Sequence, residues 1–456
     1  MSRVRYHLTP PSNWMNDPNG PILVDGRYHV FYQYNPTAPV WGPPHWGHVS
    51  STDLLHWDEH PVALSPRPGT HDEDGCWSGC ARVVDGRPML FYTGVVGFDA
   101  DRIEAVCRAT GSADLSTWCV DPQPLIAGPP DGQPLTGHRD PFLYRDGDRW
   151  RLLLGSGHVG PEGPVGTVLL YESEDLEDWV YLGVFADASG WKTDLETGAL
   201  WECPQLLRFA GGDVLIVSVQ LPGEPHPLRH VLYAVGAVAD QRFVARHVGL
   251  FDHGNVLYAP ALLEGADRAV IWGWVQEAVP APDRGASTAG ALSLPRIAEL
   301  EGDRLRVRPA DELAALAGPP RPDVPTSLPA GGAFSIADPG PWFELRLRID
   351  GNAGQVVIDL HDDVSSAYAI VVDLDRRQVL VSTRADAPGV PPQPVPLAEE
   401  DTLQLFVDAT IMELFVGSGS AATTRCYERP DRLLTVRSTG GARVTSLRLS
   451  PIEHGV

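Results

Sequence analysis

The sequence predicts an all-β chain: a five-bladed β-propeller over residues 1–310, a linker over 311–332 and a β-sandwich over 333–456. Three observations carry that prediction. Glycine (46), proline (43) and tryptophan (13) are abundant while long amphipathic helical patterns are absent, the composition of a chain made of short strands and turns. A motif recurs about every sixty residues in the first two thirds of the chain. The texture then changes near residue 310.

The repeat is S-x-D-L-x-x-W, seen as STDLLHW (51–57), SADLSTW (112–118) and SEDLEDW (173–179). In phase with it, a D-G turn precedes an apolar strand in VDGRYHVFYQY (24–34), VDGRPMLFYTG (84–94) and RDGDRWRLLLGSG (145–157). Looser copies follow at FAGGDVLIVSVQ (209–220) and LEGADRAVIWGW (263–274). A unit of this length holds four short strands, and such sheets repeated radially make a propeller. The motif tryptophans are expected to pack between blades. Beyond residue 310, PADELAALAGPPRPDVPTSLPAGG (309–332) contains one short helical patch and then a Pro/Gly-rich stretch. WFELRLRI (342–349), GQVVIDL (354–360), AYAIVVDL (367–374) and LQLFVDATIMELFVG (403–417) read as sandwich strands supporting the propeller.

Charge and cysteine content narrow the partners. With 35 basic and 59 acidic residues the net charge is −24, which repels phosphate backbones and excludes nucleic acid as the expected partner. No apolar run reaches the ~20 residues of a membrane span. MSRVRYHLTPPSNW lacks the apolar stretch of a secretory signal, so a cytoplasmic location and small imported substrates are expected. Cys76 and Cys80 form C-x3-C with His71 nearby, but no second pair at zinc spacing accompanies them. The six cysteines are expected to be buried free thiols, and no metal site is expected.

The repeat phase locates the chemistry. Asp17 in WMNDPNG precedes the first D-G turn, and the corresponding positions in later units are Ser78 (CWSGC), Asp140 (HRDPF), Glu202 (WECPQ) and Tyr258 (VLYAP). One position from each blade forms a ring about the axis. If that position lies on the innermost strand, three carboxylates converge at one end of the channel. Such crowding pushes pKa values apart and suits acid/base and nucleophilic work on a glycosidic bond. Asp17, Asp140 and Cys203 each precede proline, which predicts extended backbone at strand ends. Trp14, Trp41, Trp46, Trp77, Trp201 and Trp274 neighbour the ring, where indole faces would stack on sugar rings. Asn16, Gln33 and Arg139 are candidates for hydroxyl contacts.

WMNDPNG, HRDP and WECP, in this order and at these spacings, resemble glycoside hydrolase family 32, the β-fructofuranosidases that include invertases, levanases and inulinases. FYQYNP (31–36), HWGHVSSTDLLHW (45–57), GALSLPRIAEL (290–300) and LFVDATIMELFV (405–416) agree with it, so the resemblance covers nearly the whole chain. It implies Asp17 as nucleophile, Glu202 as general acid and then base, and Asp140 as a non-reacting group that binds sugar hydroxyls and supports the transition state. It further implies retention of configuration through a covalent fructosyl-enzyme, no cofactor, and release of terminal β-D-fructofuranosyl units from sucrose or short fructans. Asn16, Gln33, Trp41, Trp77, Ser78, Arg139, Tyr258 and Trp274 resemble the lining of the fructose subsite.

Two positions depart from the family pattern: Gln205 stands where Asp is usual after WECP, and Trp77 where Phe is usual. Replacing an acid with an amide at Gln205 is expected to alter either the pKa of Glu202 or binding beyond the fructose. The alternative within the same chemistry is a fructosyltransferase, in which a sugar captures the intermediate. An arabinan-degrading propeller enzyme and a non-catalytic sugar-binding propeller are disfavoured by the NDPN and ECP motifs and by the complete set of carboxylates.

Overall fold

The structure, a computed structural model, describes residues 3–453 apart from 99–101, 162, 225–226, 362–365, 384–390, 399–400 and 428–432. The ends of the predicted ranges, 1–2 and 454–456, lie outside the described residues. The chain is all-β. Five antiparallel sheets follow one another along residues 13–309, and two further sheets occupy 333–451. Among the described residues no helix is long and apolar enough to cross a membrane.

The repeated motifs have local physical causes. Asp25 (φ 49°) and Gly26 (φ 76°) both lie in the left-handed region, the requirement of a two-residue turn that matches strand twist. In STDLLHW, Asp53 Oδ1 accepts from the Leu55 and His56 amides at 2.9 and 2.8 Å, and Ser51 Oγ accepts from the Leu54 amide at 2.9 Å. These bonds hold Leu54 at φ 65° with its side chain buried; Leu115 (φ 56°) and Leu176 (φ 69°) repeat the device. The motif tryptophans reach the neighbouring sheet. Trp57 meets Trp272 edge-on at 6.3 Å between ring centroids, and Trp118 meets Phe31 at 5.5 Å.

The first strands of the five sheets are Asn13–Val24, Gly75–Val84, Arg139–Asp146, Leu200–Phe209 and Leu257–Leu262. Each lies beside the next, and the fifth lies beside the first. The first strand is fastened to the end of the fifth module. Asn13 and Trp14 pair in parallel with Thr288 and Ala289, and Glu264 exchanges backbone bonds with Pro21 and Leu23. Gly290 permits the closure: its φ is 82°, and a Cβ there would sit 1.8 Å from the Met15 carbonyl oxygen.

The predicted linker is a packed segment. Asp311–Leu316 forms a 3-10 helix that buries Leu313 and Leu316, while Val324 and Leu328 enter the apolar core between the last two sheets. A buried polar knot joins those sheets to the first five. Arg296 donates to Asp252 Oδ2 (2.7 Å), Glu413 Oε2 (2.5 and 3.1 Å) and Thr423 Oγ1 (2.5 Å). His7 places one ring nitrogen 2.8 Å from Asp408 and the other 2.9 Å from Glu413. Burial alone would lower its pKa, but the two carboxylates outweigh burial and raise it, which favours the doubly protonated ring.

Breaking one member of such a knot strands a buried charge. Arg296→Met is expected to cost about 3–5 kcal/mol, measured as a loss of unfolding free energy in denaturant.

Candidate active site

Asp17, Ser78, Asp140, Glu202 and Tyr258 lie on the first strands of the five successive sheets. Every one of those strands slips register at that place: between Met15 and Pro18, Trp77 and Gly79, Arg139 and Phe142, Glu202 and Gln205, and Tyr258 and Ala261. A bulge re-aims side chains and interrupts the ladder where a missing N–H is harmless. Pro18, Pro141, Pro204 and Pro260 occupy four of these bulges, and Gly79 the fifth, where a Cβ would come 2.0 Å from the Phe91 carbonyl oxygen.

The expectation of extended backbone before proline fails at Asp140 (φ 62°) and Cys203 (φ 48°), and Ala259 shares the left-handed conformation (φ 46°). Asp140 is the second residue of its strand, at its end as expected, whereas Cys203 and Ala259 sit inside theirs, because the bulge admits proline there. Asp tolerates this region, whereas each of the other two carries strain of roughly 1–3 kcal/mol.

The carboxylates come together in different settings. Asp17 Oδ1 accepts from Asn16 Nδ2 at 3.0 Å and Oδ2 from Ser78 Oγ at 2.6 Å. Both donors are themselves oriented, Asn16 by Trp14 Nε1 (2.8 Å) and Ser78 by Gln33 Nε2 (2.6 Å). Cys203 Sγ lies 3.6 Å from Asp17 Oδ2 and from Asp140 Oδ2. Asp140 Oδ2 also accepts from the Cys203 amide at 3.0 Å, while the Asp140 amide donates to Thr93 Oγ1 at 2.8 Å. Glu202 is the carboxylate that meets a cation. Arg139 Nε and Nη2 donate to its Oε1 at 3.0 and 2.9 Å, and Tyr258 OH donates to Oε2 at 2.7 Å.

Burial pushes the Asp17 carboxyl up to about 6, with Ser78 and Asn16 pulling it back and the Glu202 charge adding to the rise. Burial and the Glu202 charge also raise Asp140, against the opposing pull of Arg139. Arg139 is itself anchored by Glu104 Oε1 at 2.9 Å. Burial would raise Glu104, but Arg139 and Arg102 hold its carboxyl below the usual range.

Of the predicted lining residues, Asn16, Gln33, Ser78, Arg139 and Tyr258 are buried, and each belongs to the hydrogen-bond set around the carboxylates. Trp274 packs edge-on against Trp14 at 5.8 Å. Trp77 lies 6.1 Å from Trp41, which is 47% exposed and also meets Phe98 at 5.8 Å. The indole N–H groups of Trp77 and Trp274 are buried and find no hydrogen-bond partner among the described residues.

Trp46 and Trp201 are not part of this lining. Both are fully buried, Trp46 between Phe31 and Tyr92 and Trp201 against Trp191. Gln205 spends its amide on backbone, accepting from Leu262 N at 3.0 Å and donating to the Pro204 carbonyl at 2.9 Å. It ties the fourth sheet to the fifth. Glu104, Thr93, Phe98 and Arg102 escaped the sequence reading; an isolated Glu in the apolar stretch IEAVCRAT was the available signal for the first of these. Cys76 and Cys80 are buried free thiols, and burial raises both pKa values.

Comparison with known proteins agrees with this geometry. Residues 7–309 match the model of the glycosyl hydrolases family 32 N-terminal domain. The chain is 32% identical to the sucrose-6-phosphate hydrolase of Klebsiella pneumoniae, over 91% of this chain and 86% of that protein. It is 31% identical to the raffinose invertase of Escherichia coli, over 93% of this chain and 90% of that one. The solved structure of a family 32 β-fructofuranosidase from Bombyx mori superposes with a TM-score of 0.81 at 28% identity, covering 99% of this chain and 94% of its own. The chain belongs to glycoside hydrolase family 32. It is a glycosidase of the β-fructofuranosidase class, and it hydrolyses fructosyl linkages.

Because the carboxyl of Asp17 is raised, kcat/KM for sugar release is expected to climb with pH through about 6 as that group ionises. Ser78→Ala removes a bond that favours the ionised form, so the acid limb of the pH profile moves to higher pH.

Proposed function

We propose that the enzyme releases terminal β-D-fructofuranosyl units from sucrose, its phosphate or short fructo-oligosaccharides, with net retention of configuration. The observation that carries this reading is that Asp17, in NDPN, and Glu202, in ECP, converge with separate donors, Asn16 and Ser78 on the one and Arg139 and Tyr258 on the other. Burial favours a protonated Asp17, which must ionise to attack, so the division of roles follows the family motifs rather than the resting environments. In the first step Asp17 attacks the anomeric carbon while Glu202 gives its proton to the departing glycosidic oxygen. In the second, Glu202 takes a proton from water, the water oxygen bonds to the anomeric carbon, and Asp17 is released. Asp140 binds sugar hydroxyls and supports the positive charge that develops on the ring.

Asn16, Gln33, Ser78 and Arg139 line the fructose subsite in this reading, and Tyr258 positions Glu202. Trp41 and Phe98 offer exposed faces to the sugar beyond the fructose. The names of the Klebsiella and Escherichia relatives support small disaccharide and trisaccharide substrates and hydrolysis over fructosyl transfer.

We read the five sheets as blades of a propeller over residues 1–310, followed by a joining segment over 311–332 and a sandwich over 333–456. A cytoplasmic location is supported by Cys76, Cys80, Cys107, Cys119 and Cys203, none of which forms a disulfide, the state favoured in a reducing compartment.

Asp17→Asn and Glu202→Gln are each expected to lower fructose release from sucrose by roughly 10²–10⁴-fold or more while unfolding like wild type. The Glu202 variant retains more activity on an activated aryl fructoside, whose leaving group needs little protonation. Equal loss on both substrates would remove Glu202 from the acid role.

A further inference from the structure

Outside the carboxylate ring, three histidines from three adjacent strands of the first sheet converge. His29 lies on Arg27–Asn35, His48 on His45–Ser51 and His60 on Asp58–Leu64. His48 is paired directly with Phe31 on one side and with His60 on the other, which places His29, two residues before Phe31, on the same face. Their rings stack, with centroids 5.2 Å apart for His29 and His48 and 4.4 Å for His48 and His60. One nitrogen from each ring lies within 4.8 Å of the other two.

We propose that these three imidazoles form a binding site for a single borderline-soft divalent cation, with zinc as its expected occupant and cobalt as a spectroscopic substitute for it. The donor set decides the class of metal. Three nitrogens without a carboxylate suit zinc, cobalt, nickel or copper and do not suit calcium or magnesium. Metal–nitrogen bonds of about 2.0–2.1 Å need donor atoms roughly 3.4 Å apart in a tetrahedral arrangement, so occupancy requires the rings to turn out of their stacked arrangement until their in-plane lone pairs converge.

The electrostatic setting keeps the rings available. Burial first, and then the neighbouring histidines, push His48 down to about 2; burial, His60 and Arg27 push His29 down to about 4. His60 is lowered by burial and Arg27, with Asp58 opposing. The charge of Arg27, which would oppose a cation, is paired with Asp58.

His29 Nδ1 and His48 Nε2 share one hydrogen bond at 2.9 Å. When both nitrogens bind metal, its proton moves to the other nitrogen of the donor ring, so no proton need be lost. Ser50 Oγ lies 2.6 Å from His60 Nε2 and accepts from Arg27 Nε at 2.9 Å, an outer contact that orients the ring. The site is structural rather than catalytic: His29 pairs with Ile22, five residues along the strand from Asp17, roughly 16 Å at ~3.3 Å per residue.

The test uses untagged, chelator-treated full-length protein titrated with Co²⁺, followed by visible absorption, and with Zn²⁺, followed by calorimetry. One ion per chain, a d–d band of a nitrogen-bound site and a rise in Tm with Zn²⁺ are expected. His29→Gln and the partly buried His60→Gln should each weaken binding by at least about tenfold while sugar release stays comparable to wild type. Absence of saturable binding by either metal would overturn the proposal. So would one-to-one binding that survives in a folded His60→Gln variant, since it would place the ion on other histidines.

Discussion

A register slip at the same place in five consecutive first strands is the constraint on which the rest of the molecule depends. Regular strands would alternate side chains between faces and pair every amide, leaving no room for Pro18, Pro141, Pro204 and Pro260. The slip admits those prolines and turns Asp17, Ser78, Asp140, Glu202 and Tyr258 towards a common centre. Its cost is visible in the left-handed backbone at Asp140, Cys203 and Ala259. That strain is tolerated because each strand is held on its other edge by a full antiparallel sheet and because Thr288–Ala289 and Glu264 bind the first strand to the fifth module.

Convergence alone would destabilise the centre, since buried carboxylates repel one another. The protein answers with graded donors rather than with a matching set of cations. Arg139 divides its guanidinium between Glu104 and Glu202, Ser78 and Asn16 serve Asp17, and the Cys203 amide serves Asp140. One charge for several acids leaves Asp17 and Asp140 above their ordinary pKa values while keeping Glu202 oriented. At the far side of the fifth sheet, Arg296 faces Asp252 and Glu413 in a fully buried set. There the same kind of chemistry holds two parts of the chain together. The C-terminal part of the chain also grips the fifth module, because Arg425 and Tyr427 both donate to Glu277, which in turn accepts from the Gly290 amide.

Much of this was legible because the repeat carries its own ruler. S-x-D-L-x-x-W and the D-G turns mark the phase, and the phase alone leads to Asp17, Asp140 and Glu202 as members of one ring. Local rules then failed where tertiary structure overrode them. The proline rule gave extended backbone for Asp140 and Cys203, but a bulge imposed positive φ. Proximity in sequence suggested that Trp46 and Trp201 face the sugar, yet strand alternation turns Trp201 away from Glu202, and Trp46, on the same face as Gln33, is covered by Phe31 and Tyr92. Gln205 looked like a modifier of Glu202 but serves as a backbone tie, a role that depends on Leu262 in the next sheet. Glu104 and Arg296 act across sheets, and long-range pairing leaves no local spacing to read.

The covalent role of Asp17 is the step on which the proposed mechanism turns. The decisive measurement is the configuration of the product when methanol replaces water as acceptor, because methyl fructoside does not mutarotate. A covalent Asp17 yields methyl β-D-fructofuranoside from sucrose, and none when Asp17 is changed to Asn. Methyl α-D-fructofuranoside would show a single displacement by solvent and would contradict a nucleophilic Asp17.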